Sequence, residues 1–382
     1  MTERIGARRA WPAGFLGMIA IVCSVETTIA RRPVDFVETS RSSWSLSGDA
    51  ARSAGNQDIV CLGDSLIKHG LLPRVLTERT GMTSINLSVC AAQPPVAYYI
   101  LKRVLDNGGE PRIAIVDFKP DLLAGGLRHS ASYWPELATV REAFELAWTG
   151  RDARFMAETV VAGALPSVRN RREIAAAVRS ALAGKTNPLR SVNLALWRNW
   201  GVNQGAEFTP KNPGFDGRIG ETDMNKYMTK NFWCDKINRK YIERFLDLAD
   251  RRGIRVVWLL PPISPGLQML REQSGSDKSH GEFVRSLQTK HPRLIVFDAR
   301  KSQYASSMFL DPVHLDGEGG YALSCDVAST LQILVESGSI ADAEPCWVDL
   351  PAFRARPLDP RIENVEQSKL AVRDASVESR RR

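Results

Sequence analysis

Two short stretches hold residues that can do covalent chemistry together. The first, Ile59–Gly70 (IVCLGDSLIKHG), runs four apolar residues into Gly63, Asp64 and Ser65, with the serine opening a helical pattern. The second, DPVH, sets Asp311 three residues before His314 and just ahead of the last helical segment of the core. A serine hydroxyl is a weak nucleophile until an adjacent base takes its proton. An imidazole serves as that base when one ring nitrogen faces the hydroxyl and a carboxylate holds the other. A carboxylate three residues back can curl round and fix the tautomer. Ser65 and His314 lie about 250 residues apart, so the fold must carry them to one edge. Each residue alone has a plainer reading. Ser65 is a good helix cap, Asp64 braces a turn by accepting local N–H groups, and Gly63 is a turn glycine. His69, four residues after Ser65, would share its face on a regular helix. Gly70 and Pro73 interrupt that helix, which makes His69 a rim residue.

The elements that must position these groups are legible as alternation. DIVCL (58–62), SINL (84–87), RIAIVDF (112–118), RVVWLL (255–260) and LIVF (294–297) are short, β-branched or aromatic-rich runs bounded by turn formers. Helical patterns lie between them. Pro73 to Arg79 begins with proline in the first turn. Lys236 to Arg252 sets Ile237, Tyr241, Phe245 and Leu248 on one face, and Gly317 to Gly338 does the same with Leu323, Val327, Leu331 and Leu334. Alternating strand and helix predicts a parallel sheet covered on both sides. Ligands of such sheets bind beyond the carboxyl ends of the strands, where Ser65, Ser88, Lys119 and the DPVH loop all fall.

Other segments set the organisation. Residues 1–32 carry Arg4, Arg8 and Arg9 ahead of an uncharged, mostly apolar run from Ala10 to Val25, which suits a secretory signal or a retained membrane anchor. The expected location is therefore extracytoplasmic, secreted or tethered to the membrane. Residues 33–56 are polar and Ser-rich and read as a linker; 57–340 form the main domain; 341–382 read as a polar, disordered tail. An insert of about 129–230 separates the third and fourth strands, helical first and then Gly/Pro/Asn-rich. Its Trp134, Trp148, Trp197 and Trp200 are expected to pack its own core.

The net charge of +8 comes from 51 basic and 43 acidic residues spread along the 382-residue chain. It implies mild attraction to anionic surfaces. No nucleic-acid motif, no phosphate-cradling Gly-rich loop and no metal-ligand spacing accompanies it, so no nucleic acid, metal or cofactor is expected. The six cysteines are scattered; Cys61 and Cys90 sit near two strand ends, where a disulfide is one option and buried thiols the other. His129, His280 and His291 lie in polar stretches and are expected at the surface.

GDS after the first strand and DPVH before the last helix resemble the first and last motif blocks of the SGNH, or GDSL, hydrolases. The resemblance covers roughly Asp58 to Leu334 without the insert. It implies a flavodoxin-like three-layer α/β/α sandwich with a parallel five-stranded sheet. It also implies cleavage or transfer of acyl groups on oxygen, with Ser65 as nucleophile, His314 as base and Asp311 as its orienting partner. Two blocks depart from the family pattern. Ser88 stands where a glycine N–H usually helps bind the oxyanion, and KPDLL follows the third strand where an asparagine is usual. The resemblance then leaves the oxyanion to the N–H groups of Ser65 and Ser88, with Lys119 or the insert as a third source. The block order also resembles an exported branch whose members accompany membrane-bound O-acyltransferases in modifying exopolysaccharides. That implies an acylated saccharide or another ester as substrate and a membrane acyltransferase as partner.

Overall fold

The computed structural model describes residues 13–228, 232–341 and 344–381. It is an α/β protein built on a parallel sheet of six strands: β1 (Ile59–Leu62), β2 (Ser84–Asn86), β3 (Ile113–Val116), β4 (Arg255–Leu260), β5 (Ile295–Asp298) and β6 (Cys346–Asp349). Their order across the sheet is β2-β1-β3-β4-β5-β6. β1 pairs with β2 on one side (Cys61 opposite Asn86) and with β3 on the other (Leu62 opposite Val116). The chain reverses its direction of travel between β1 and β3. A crevice opens at the carboxyl ends of strands at such a reversal, and Ser65 follows β1 directly.

β1, β3, β4 and β5 are mostly apolar runs because both faces of the sheet are covered there. Successive residues point to opposite faces. Val60 and Leu62 join one core with Tyr99, Tyr241, Phe245 and Trp258; Ile59 and Cys61 join the other with Leu76, Phe297, Leu323 and Val327. The helices Pro94–Asp106 and Lys236–Arg251 line the first core. Ser65–Gly70, Pro73–Thr80 and Gly317–Glu336 line the second.

Three segments differ from the sequence expectation. The sheet has a sixth strand, not five. β6 lies inside the stretch 341–382 expected to be disordered, and the same stretch continues into the helix Val365–Arg381. That helix packs on Pro188–Val202 of the insert; Ser368 is fully buried, and Arg198 pairs with Glu363 at 2.7 Å. The Ser-rich stretch 33–56 is no linker. It folds into the helix Thr39–Ala50, whose Trp44 is fully buried, stacks on Tyr133 at 5.3 Å and donates to the Cys90 carbonyl at 2.8 Å. Serines suit this helix because Ser42 and Ser43 return their hydroxyls to the carbonyls of Thr39 and Ser40, both at 2.7 Å. Trp44→Ala is therefore expected to cost about 3–5 kcal/mol, read as a lower denaturation midpoint. A true linker would show no change.

Cys61 and Cys90 are both free thiols, as are the other four cysteines. Trp134 is buried against Trp44 and Tyr99, so it ties the insert to the sheet core; Trp148 is exposed and stacks on Phe144. His280 and His291, expected at the surface, are buried. The apolar N-terminal run forms the helix Ala13–Ala30, most of whose large side chains are exposed and whose Glu26 accepts from the Ser167 N–H at 2.8 Å. Among the described residues no helix is long and apolar enough to cross a membrane. Arg4, Arg8 and Arg9 lie outside the described residues.

Candidate active site

β1 ends at Leu62, and the next three residues turn the chain into the short helix Ser65–Gly70. Gly63 has φ +135°, and a side chain there would meet the Asp117 carbonyl oxygen at 2.9 Å. Only glycine tolerates both the angle and the approach. Asp64 is the helix cap: its Oδ1 accepts the Leu66 N–H at 2.7 Å. This is the turn-bracing role expected of it, and its full burial keeps it away from any substrate. Ser65 follows at the first helical position, 8% exposed. Its N–H has no intrahelical acceptor there.

The opposite partner comes from the loop between β5 and the helix Gly317–Glu336. Backbone bonds pin this loop: Leu310 N–H to the His314 carbonyl and Asp316 N–H to the Met308 carbonyl, both 2.8 Å. Asp316 caps the following helix through the Gly319 N–H. That helix lies directly against the nucleophile helix, because a side chain at Gly320 would sit 2.5 Å from the His69 carbonyl oxygen. Gly320→Ala is expected to lower stability by about 1–3 kcal/mol through overpacking, measured by chemical denaturation. An unchanged midpoint would show that this approach has slack.

Ser65, His314 and Asp311 meet. The Ser65 hydroxyl donates to His314 Nε2 at 2.7 Å, and His314 Nδ1 donates to Asp311 Oδ2 at 2.7 Å. Asp311 Oδ1 accepts the N–H groups of Val313 and His314, each at 2.9 Å. Burial alone would raise the Asp311 carboxyl, but the bond and charge of His314 and the two backbone donors together hold it well below the usual carboxylate range. The carboxylate thus stays ionised and keeps the imidazole in the tautomer whose Nε2 accepts.

Two expected contributors lie elsewhere. The Ser88 N–H donates to Asn86 Oδ1 at 3.0 Å, and the side chain is fully buried. That amide is committed within its own loop, so it does not serve an oxyanion in this conformation. Asn86 is occupied in turn as a staple, donating to the carbonyls of Ile67 and Leu71 at 2.9 Å each, so it orients the nucleophile helix from beneath. Lys119 is buried behind Asp64, with Nζ 3.7 Å from Asp121 and its charge facing the Tyr227 ring. Burial would lower this ammonium, but Asp121 and Asp64 together raise it above its ordinary value. It neutralises buried carboxylates and makes no hydrogen bond to Ser65. Beside it, burial first and the Asp64 carboxylate second hold the Asp117 carboxyl well above the usual range. Its Oδ1 accepts the Asp64 N–H at 3.2 Å, which braces the turn below Ser65.

The end of the insert closes on the site. Asn86 N–H bonds the Gln204 carbonyl at 2.9 Å, Glu207 N–H the Lys68 carbonyl at 3.0 Å, and Gly317 N–H the Thr209 carbonyl at 2.8 Å. This loop therefore ties β2, the nucleophile helix and the helix after His314 into one frame. His69 lies within that frame and not on the rim. Its ring meets His314 edge-on at 5.4 Å, and its Nδ1 is 3.2 Å from the Glu207 carbonyl oxygen. The helix runs through Gly70, so the spacing of four from Ser65 was the signal for this proximity.

No family model matches the chain, and no curated protein matches it. Among the described residues no group of three or more histidine, cysteine, aspartate or glutamate side chains is placed to hold a metal ion.

Proposed function

We propose that this protein is a serine-dependent ester hydrolase of the SGNH kind, with the sheet and its helices forming a flavodoxin-like three-layer sandwich extended by β6. One observation carries the reading: the unbroken relay of two 2.7 Å hydrogen bonds from Ser65 through His314 to Asp311. As Ser65 Oγ attacks an ester carbonyl, its proton passes to His314 Nε2, and Asp311 stabilises the imidazolium. The imidazolium then protonates the departing alcohol, leaving an acyl-Ser65 ester. A second hydroxyl attacks that ester, its proton taken by His314, and Ser65 is restored. The Ser65 N–H, which has no intrahelical acceptor, is the donor assigned to the developing oxyanion.

Water as the second hydroxyl makes the protein an esterase; a saccharide hydroxyl makes it an O-acyltransferase. The committed Ser88 amide supports a second reading, a weakly catalytic carbohydrate-binding scaffold, because loss of one oxyanion donor costs about 100- to 1000-fold in rate. The charge and the N-terminal apolar helix support an extracytoplasmic setting at a membrane, with an acylated envelope saccharide as substrate and a membrane-bound O-acyltransferase as partner. A fluorophosphonate probe tests the class. Labelling of the folded protein that vanishes in Ser65→Ala supports an enzyme; folded wild-type protein that takes no label points to the scaffold.

A further inference from the structure

The proposed cycle uses one of two imidazoles at the site. His69 sits edge-on to His314 and is a half-buried residue. Its Nδ1 faces oxygens alone, the Glu207 carbonyl at 3.2 Å and the Thr209 hydroxyl at 3.4 Å. A carbonyl oxygen can only accept, so Nδ1 carries the ring proton in the neutral form. Nε2 is then a bare acceptor, and it has no partner among the described residues. Burial first, with the charges of His314 and Lys68 acting the same way against Glu207, pushes this imidazole down to about 4. It stays neutral while His314 takes up a proton, and a neutral ring with Nδ1–H cannot donate to an oxyanion through Nε2.

Resting on the reading of Ser65 as an acyl carrier, we propose that His69 Nε2 accepts a hydrogen bond from a second O–H of the acyl acceptor while His314 takes the proton of the first. The attacking hydroxyl has its own proton committed to His314. The group on His69 must therefore be another O–H: the second hydrogen of water, or the neighbouring hydroxyl of a vicinal diol. A saccharide ring supplies such diols; a simple alcohol does not. His69 thus selects water and diols over mono-alcohols at the deacylation step and leaves acylation alone. No net proton moves through it, because it only accepts a bond.

The test uses the full-length protein with an aryl acetate as acyl donor and cis-1,2-cyclohexanediol or cyclohexanol as acceptor. The first-turnover burst of phenol reports acylation; the acetylated acceptor and free acetate report deacylation. Wild type should favour the diol over the mono-alcohol by about tenfold, the worth of one hydrogen bond. His69→Phe should keep the burst within about twofold and lose the diol preference. His69→Gln, which restores an acceptor oxygen, should recover part of the preference and guards against a mere folding defect. A His69→Phe variant that keeps the diol preference, or that loses the burst while remaining folded, overturns the assignment of His69 and leaves Ser65 standing. A wild type with no burst and no labelling of Ser65 overturns both.

Discussion

Ser65→Ala is expected to reduce turnover of an aryl acetate by about 10⁶-fold, the scale on which a triad nucleophile is lost. The acidic and basic side chains beneath the turn do not take over. Asp64 and Asp117 are buried beneath the turn with their oxygens facing backbone and each other's chain, and Lys119 is held by Asp121. The substitution removes one oxygen from a side chain that bonds His314, so the fold should be little affected. Steady-state kinetics with a parallel melting curve checks both halves. A variant that retains turnover within about tenfold would place the nucleophile elsewhere.

The second large effect is at Asp311. Asp311→Asn is expected to cost about 10⁴-fold in kcat with the fold retained. An amide can still accept the N–H groups of Val313 and His314 through its oxygen, as Oδ1 does now. Its nitrogen then faces His314 Nδ1 and favours the tautomer whose Nε2 bears the proton. That imidazole donates to Ser65 where it should accept. Stability should respond with a definite sign. Because the carboxyl is held below its ordinary range in the folded state, its contribution is present above the unfolded value and is lost as pH falls through the folded one. The variant should be less stable than wild type near neutrality, and the gap should close on acidification. Denaturation midpoints across that range measure it; a constant gap would mean that the carboxylate's charge is not what binds it to the imidazole.

Much of the frame was legible because local chemistry dictates it. β1, β3, β4 and β5 are buried along their length and so read as mostly apolar runs. The turn at Gly63 needs a glycine, its cap an aspartate, and the helix after DPVH starts on Asp316, so each motif carries its own geometry. β6 was missed because it is a four-residue edge strand, only partly buried, in which Trp347 is covered by Arg285. CWVD has the residues of a strand, but a single short run without a following helix carries little signal. The helix around Trp44 is masked in the sequence by its serines, whose hydroxyls bond its own carbonyls in a setting to which Tyr133 and Trp134 contribute. Tertiary contact overrides propensity there.

At the site, residue type and order pointed to Ser65, His314 and Asp311, but not to which amides stay free. Whether Ser88 donates outward depends on the rotamer of Asn86, two residues away, and spacing is silent on that. His69 shows the reverse. Its spacing of four from Ser65 points inward, and Gly70 does not break the helix before it. As the last residue of a six-residue helix, Gly70 ends the element after His69 and not before it.

The central claim is that Ser65 carries the acyl group between donor and acceptor. Mixing the protein with an aryl acetate, quenching in acid within the first turnover and measuring intact and peptide masses addresses it directly. One acetyl group on the peptide that contains Ser65, absent from Ser65→Ala, is the predicted result. Phenol release with the acetyl found on a different residue, or with no adduct at any quench time, would contradict it.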